Sequence, residues 1–277
     1  MARRYLLSID GGGIRGIIPA VALTKLESTT ERPARETFSL VAGTSTGAII
    51  AAAIAAGIPA ARIVDLYVDR AREVFTGVTL LNTLQRIFTG SMYSTQKLHD
   101  VIAEELGPEA RDWILNKSPI DLLITAKGVP DGKAWYFVKD SPNNFSCTGS
   151  LGLADCVTGS AAAPTYFEPW TIDEPPSSPS DCESVGAMVD GGVGVAGNPV
   201  YQACVEAFFY TDENGYKPGR RRPFRWARGV PSYLSNGRRG SGHGSTGPWA
   251  NCSNRRGSSR QRSPGRTSSR SNRKIRR

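Results

Sequence analysis

The stretch Phe38-Ser39-Leu40-Val41-Ala42-Gly43-Thr44-Ser45-Thr46-Gly47-Ala48-Ile49-Ile50-Ala51-Ala52-Ala53-Ile54-Ala55-Ala56 decides the fold. It opens as an apolar, strand-like run and closes as a helix-forming run. Between them lies Gly43-Thr44-Ser45-Thr46-Gly47, a Gly-x-Ser-x-Gly turn. Strand, sharp turn and helix form the setting of a nucleophile elbow. Gly43 and Gly47 would then be required because a side chain there collides with the adjoining strand or helix. The N-terminus of the following helix favours developing negative charge. The other reading of the same residues is a plain tight turn built from Gly and Ser.

A second unit of the same kind precedes it. Tyr5-Leu6-Leu7-Ser8-Ile9 reads as a strand buried on both faces, followed by Asp10-Gly11-Gly12-Gly13-Ile14-Arg15-Gly16. A helix follows from Ile17 or Pro19, with proline in its first turn. Two strand–turn–helix units within fifty residues predict an α/β fold with a mainly parallel sheet.

Downstream, Pro59 to Phe75 has the spacing of an amphipathic helix. Residues 76–94 are irregular and partly apolar, and they either line or cover a site or pack in the ordinary way. Thr95 is placed to cap a helix that stops at Gly107-Pro108. Ile120 to Ala126 and Ala134 to Val138 read as strands of a hairpin turning at Pro130-Asp131-Gly132. Ser141 to Ser150 reads as a loop, Leu151 to Ser160 as a helix and Pro175 to Glu183 as a polar loop. A short strand, Ala187-Met188-Val189, ends in Asp190-Gly191-Gly192, and Asn198-Pro199 opens a last helix to about Phe209.

Charge is divided sharply along the 277 residues. Residues 1–217 hold 17 Lys and Arg against all 25 Asp and Glu, a net −8, whereas 16 Arg and one Lys follow from Pro218 with no acid. The overall +9 therefore belongs to the C-terminal stretch. That stretch, rich in Gly, Ser and Arg and lacking hydrophobic periodicity, is expected to be disordered. The domain division expected is 1–217 and 218–277. Five cysteines, none at metal or redox spacing, fit small buried residues in a reducing compartment. No leader is apparent at Met1, and the longest apolar run, Ala48 to Ile58, is about half of what a bilayer requires. A cytoplasmic protein, soluble or peripheral to a membrane, is expected.

Gly11-Gly12-Gly13-Ile14-Arg15-Gly16 also satisfies Gly-x-Gly-x-x-Gly between strand and helix, with Glu27 or Glu31 near the spacing of a ribose ligand. The same bare backbone can instead offer N–H groups to an oxyanion. A serine nucleophile needs a proton acceptor. The chain has two histidines, His99 within a helix and His243 in the Arg-rich stretch, neither in a loop at a strand end. Asp190, at a strand end before two glycines, is the carboxylate candidate, and a turn aspartate is its other reading. An aspartate of ordinary pKa, about 3.9, accepts a proton poorly unless burial raises it.

Three blocks resemble the patatin-like phospholipase family: Asp10-Gly11-Gly12-Gly13-Ile14-Arg15-Gly16, Gly43-Thr44-Ser45-Thr46-Gly47 and Asp190-Gly191-Gly192. Ser160-Ala161-Ala162-Ala163-Pro164-Thr165-Tyr166-Phe167 and Asn198-Pro199 extend the likeness over roughly residues 4–210. The resemblance implies a three-layer sandwich and a Ser–Asp dyad without histidine. It implies Ser45 as nucleophile, Asp190 as proton acceptor, and Gly11, Gly12 and Gly13 as oxyanion hole. Gly16, Gly43, Gly47, Gly191 and Gly192 complete the motifs. Arg15 would steer a head group or support the loop, and Asp10 would tie the loop down. The implied activity is hydrolysis of phospholipid or related acyl esters at a membrane or micelle surface. No cofactor or metal is implied, since no acidic loop has Ca²⁺-ligand spacing.

The likeness fails after the last helix. The family continues with a strand ending in a pattern like Ser-Leu-Gly-Thr-Gly, whereas this chain has Tyr233-Leu234-Ser235-Asn236-Gly237 in acid-free sequence. A shifted reading frame from near Lys217 is one hypothesis, tested by resequencing and by peptides of the mature protein. A basic tether for anionic membrane or, nonspecifically, nucleic acid is another reading of the tail. For the whole chain, an inactive homologue and a dinucleotide-binding protein are the alternatives.

Overall fold

The computed structural model describes residues 4–75, 92–140, 148–173, 185–194, 196–210 and 223–226. Strand β1 (Tyr5–Ile9) passes through a short 3-10 turn, Gly13–Gly16, into helix α1 (Ile17–Thr30). A one-turn helix α2 (Ala34–Thr37) leads to β2 (Phe38–Thr44), α3 (Thr46–Ala56) and α4 (Ala60–Phe75). Then come α5 (Thr95–Ala110), β3 (Asp121–Gly128), β4 (Ala134–Val138) and α6 (Leu153–Ala161). β5 (Trp170–Ile172), β6 (Gly186–Asp190), α7 (Val200–Val205) and β7 (Pro223–Trp226) complete the described strands and α-helices.

The strands form one sheet in the order β5-β6-β3-β2-β1-β7, with β4 also on β3. Its centre, β7-β1-β2-β3, is parallel, and β4, β5 and β6 join antiparallel. Side chains alternate between the two faces with the period of two that strands impose. Leu7, Ile9, Val41, Leu122 and Ile124 face the larger core, among residues of α3, α5 and α6. Leu6, Leu40, Ala42 and Leu123 face the other side, where Ala203 of α7 and Ala207 pack. Helix, sheet and helix make the three-layer α/β sandwich.

Helix α3 is apolar on nearly every side, so it can only be an inner helix. Ala48, Ile50, Ala51, Ala52 and Ile54 are all buried. It ends at Gly57, whose left-handed φ of 81° lets its N–H reach the last turn. Glu27 ties two other helix starts together. Its carboxylate oxygens accept from Ala34 N–H (2.8 Å) and Ala60 N–H (2.9 Å), opening α2 and α4.

Three expectations change. Ser94, not Thr95, caps α5 by accepting from Lys97 N–H, while the Thr95 hydroxyl donates to Glu168 O. That helix also continues past Leu106 to Ala110 across a kink at Gly107 (φ 79°). Within the stretch expected to be disordered, Pro223–Trp226 forms β7 beside β1. The apolar stretch at 76–91, most of the loops at 141–150 and 175–183, and the rest of the tail with His243 lie outside the described residues.

Candidate active site

The register of β3 explains how two residues 145 positions apart meet. β2 and β4 pair with β3 on opposite edges, since Leu123 pairs with both strands. Ala126 pairs with both β4 and β6, so β6 lies on the edge that β2 occupies. There β2 ends with Thr44 opposite Thr125, and β6 ends with Asp190 opposite Ala126. The two strands therefore meet head-on, and Ser45 follows directly at the junction.

Ser45 occupies a left-handed conformation, φ 56° and ψ −123°, of the kind a non-glycine residue holds only when its surroundings enforce it. They do so sterically. A Cβ on Gly43 would strike the Gly47 carbonyl, and one on Gly47 would strike the Ile9 backbone. The turn is also held by hydrogen bonds. Ser45 N–H donates to Ser160 Oγ (2.9 Å), whose own hydroxyl donates to Thr125 O (2.6 Å). Thr46 is bonded through its hydroxyl to Tyr67, and the half-buried phenol is pushed up to about 12 by desolvation, against the opposing pull of the Thr46 bond.

Ser45 Oγ donates to Asp190 Oδ2 at 2.6 Å, and Asp190 Oδ1 accepts from Gly192 N–H at 2.7 Å. Both residues are buried, at 9% and 8% exposure. Burial raises the Asp190 pKa above its ordinary 3.8, and the Ser45 and Gly192 bonds partly oppose the rise. Gly191 is needed where it stands, because a Cβ there would meet the Thr125 carbonyl.

The glycine loop lies over Ser45. A Cβ on Gly11 would sit 3.2 Å from Ser45 Cβ. Of the three N–H groups expected to face an oxyanion, that of Gly11 donates to Gly197 O (3.1 Å). Those of Gly12 and Gly13 donate to no protein acceptor among the described residues. Arg15 is exposed and bonds back to Gly12 O through its N–H and its Nε, both at 3.3 Å. Its contacts thus brace the loop. Asp10 joins β1 to the loop and is half-buried.

Ser45, Asp190 and the loop share a cavity of about 750 Å³. Its walls include Ile49 and Ala53 of α3 and Leu98, Ile102 and Leu106 of α5. Because it is lined from Ser45 to Ile58, it follows the whole of α3, about 16 Å for 11 residues at 1.5 Å each. This is a long apolar slot with Ser45, Asp190 and the glycine loop at one end. Residues 7–204 match the patatin-like phospholipase family.

The chain belongs to that family. A cGAMP-activated phospholipase of Escherichia coli (strain TW11681) is 29% identical over 74% of this chain and 56% of its own length. Patatin-like protein 2 of Arabidopsis thaliana is 31% identical over 73% of this chain and 52% of its own. The chain thus spans about half the length of the curated relatives it matches. Among solved structures, VipD from Legionella pneumophila aligns with TM-score 0.44 and 15% identity over 80% of this chain and 49% of VipD.

The ribose-ligand reading of the glycine loop is corrected. Both oxygens of Glu27 are engaged at helix starts, and Glu31 is exposed at the left-handed end of α1. His99 stacks on Trp170 and pairs with Asp155, and it is absent from the lining of the Ser45 cavity. The sequence gives Tyr67 only a place on the apolar face of the helix at 59–75, and it gives Ser160 no role of its own. Ser160 stands at the head of a block that carries the family likeness, as a hydroxyl at the end of a helix otherwise turned to the core by small residues. No helix among the described residues is long and apolar enough to cross a membrane.

Proposed function

We propose that this chain is a lipid acyl hydrolase of phospholipase A type, working through a Ser45–Asp190 dyad and an acyl-enzyme. The observation that carries the reading is the 2.6 Å bond from the strained Ser45 to a buried carboxylate at the mouth of an apolar slot. The acyl chain lies along α3 with its ester at the mouth. Ser45 Oγ attacks the carbonyl carbon as its proton passes to Asp190 Oδ2. Burial suits the carboxylate to this task by raising its proton affinity. The oxyanion takes the N–H groups of Gly12 and Gly13, aided by the N-terminus of α3. Gly11 lets the loop approach Ser45 and ties it, through Gly197, to the Asp190 loop. Collapse of the tetrahedral intermediate breaks the ester bond, and the leaving alcohol takes the proton from Asp190. Water then attacks the acyl-enzyme by the same route.

Labelling with a fluorophosphonate, together with hydrolysis of a phospholipid, tests this directly. Wild type should label and turn over. Ser45→Ala should lose both, and Asp190→Asn should fold and lose turnover by about 10⁴-fold, the order seen when a catalytic unit is broken. Labelling that persists in Ser45→Ala would overturn the assignment. An absence of turnover in a folded wild type would leave the inactive-homologue alternative in its place.

A further inference from the structure

Most exposed apolar side chains on a globular protein are scattered, and a contiguous group of them marks a surface meant to be covered. Here Ile14, Tyr166 and Val193 line the mouth of the Ser45 cavity while facing solvent. From Ile14 the group continues along α1 to Ile18 and Val21, the latter two on one face at helical spacing. All five are between 39% and 57% exposed. α1 therefore has two apolar sides. Pro19, Ala20 and Leu23 face the core, and Ile18 and Val21 face outward.

Along α1 and the loop before it the charges are one-sided. From Gly11 to Leu26 there is no acid, and the two charged residues, Arg15 and Lys25, are exposed cations. Lys25 extends the outward face one turn beyond Val21. This contrasts with residues 1–217 as a whole, which carry a net −8. An apolar stripe bordered by cations within an otherwise acidic body matches the headgroup boundary of a lipid layer.

We infer that Ile14, Ile18, Val21, Tyr166 and Val193 form the face by which this protein docks on a lipid surface, with the cavity mouth opening into that surface. The inference rests on the acyl-hydrolase reading for its choice of partner. Docking in this way lets an acyl chain enter the slot without crossing water. The apolar stripe enters the acyl boundary, and Arg15 and Lys25 remain at the level of the phosphates.

The test uses the full chain and phosphatidylcholine vesicles, which have no net charge to attract the Arg-rich C-terminal stretch. Binding is followed by co-sedimentation in a Ser45→Ala background, so that no lipid is consumed. Ile18→Glu with Val21→Glu should weaken vesicle binding tenfold or more. With Ser45 intact, the same pair should slow vesicle hydrolysis similarly and leave hydrolysis of a dissolved short-chain ester within twofold, since neither residue lines the cavity. If the glutamates prevent folding, Ile18→Ser with Val21→Ser should give the same order of effects at smaller size. Unchanged vesicle binding by a folded double variant would overturn the inference. So would a stable dimer that the double variant dissociates, because a second copy would then be what covers the face. A wild type that binds vesicles through this face yet hydrolyses no dissolved ester would defeat the acyl-hydrolase reading and leave the docking face standing.

Discussion

Ser45 and Gly13 line the same cavity, and they are held in opposite ways. Ser45 is walled in by β1, β3, α6 and the Asp190 loop, and its backbone strain is sustained by what surrounds it. Gly13 is exposed, with φ 58° and nothing within 4 Å of where a Cβ would be. The glycines of the serine turn are therefore required by lack of room, and Gly13 by its own backbone conformation. The difference suits two tasks. A nucleophile must be held against strain, while an oxyanion donor must keep its N–H unspent until charge develops.

This contrast is broken or sharpened by alanine at each kind of glycine. Gly47→Ala should give the largest effect, because its Cβ meets the Ile9 backbone rather than a side chain that can turn away. Overpacking against backbone should cost about 3 kcal/mol or more, read as a lowered denaturation midpoint, with the rate lost as the elbow shifts. Gly13→Ala should be milder in stability, about 1–2 kcal/mol for the left-handed conformation. Its rate of ester hydrolysis should still fall about a hundredfold as the donor moves. Equal stability losses at the two positions would show that the loop is packed as tightly as the serine turn.

The same division governs what could be read from sequence. The serine turn was legible because local sterics dictate it: an apolar run, two glycines and a helix-forming run leave few alternatives. The meeting of Asp190 with Ser45 was not legible from the residues alone. It depends on β2 and β6 ending at adjacent positions of one edge of β3, at Thr125 and Ala126. Resemblance supplied the pair, and strand register explains it. Glu27 shows the converse. Its distance from the glycine loop suited a ribose ligand, yet its carboxylate is spent on two helix starts. Spacing carries no information about which donors a side chain finds. Gly11 makes the same point, since the acceptor its N–H finds, Gly197 O, lies far along the chain. β7 was hidden because four residues beside β1 carry their pairing in the backbone, within a stretch whose composition is Arg, Gly and Ser.

The smallest expected effect is a displaced titration, and it belongs wholly to the walled side of the site. Asp190 is raised chiefly by desolvation, so its charged form is the disfavoured one in the folded protein. Two consequences follow with definite signs. As proton acceptor it must be ionised, so kcat/KM on a dissolved ester should fall toward acid with its limb above the ordinary 3.8. Stability runs the other way. A folded pKa above the unfolded one means that the protonated group's contribution is present below the unfolded pKa and is lost as pH rises through the folded pKa. Asp190→Asn cannot ionise and can still accept from Gly192 N–H while donating to Ser45 Oγ. At pH 7 it should therefore resist denaturant at least as well as wild type, and its advantage should shrink as pH falls toward 4. A variant clearly less stable than wild type at pH 7 would show that the charge on Asp190 is favoured by its surroundings. The acid limb would then lie at or below the ordinary aspartate value.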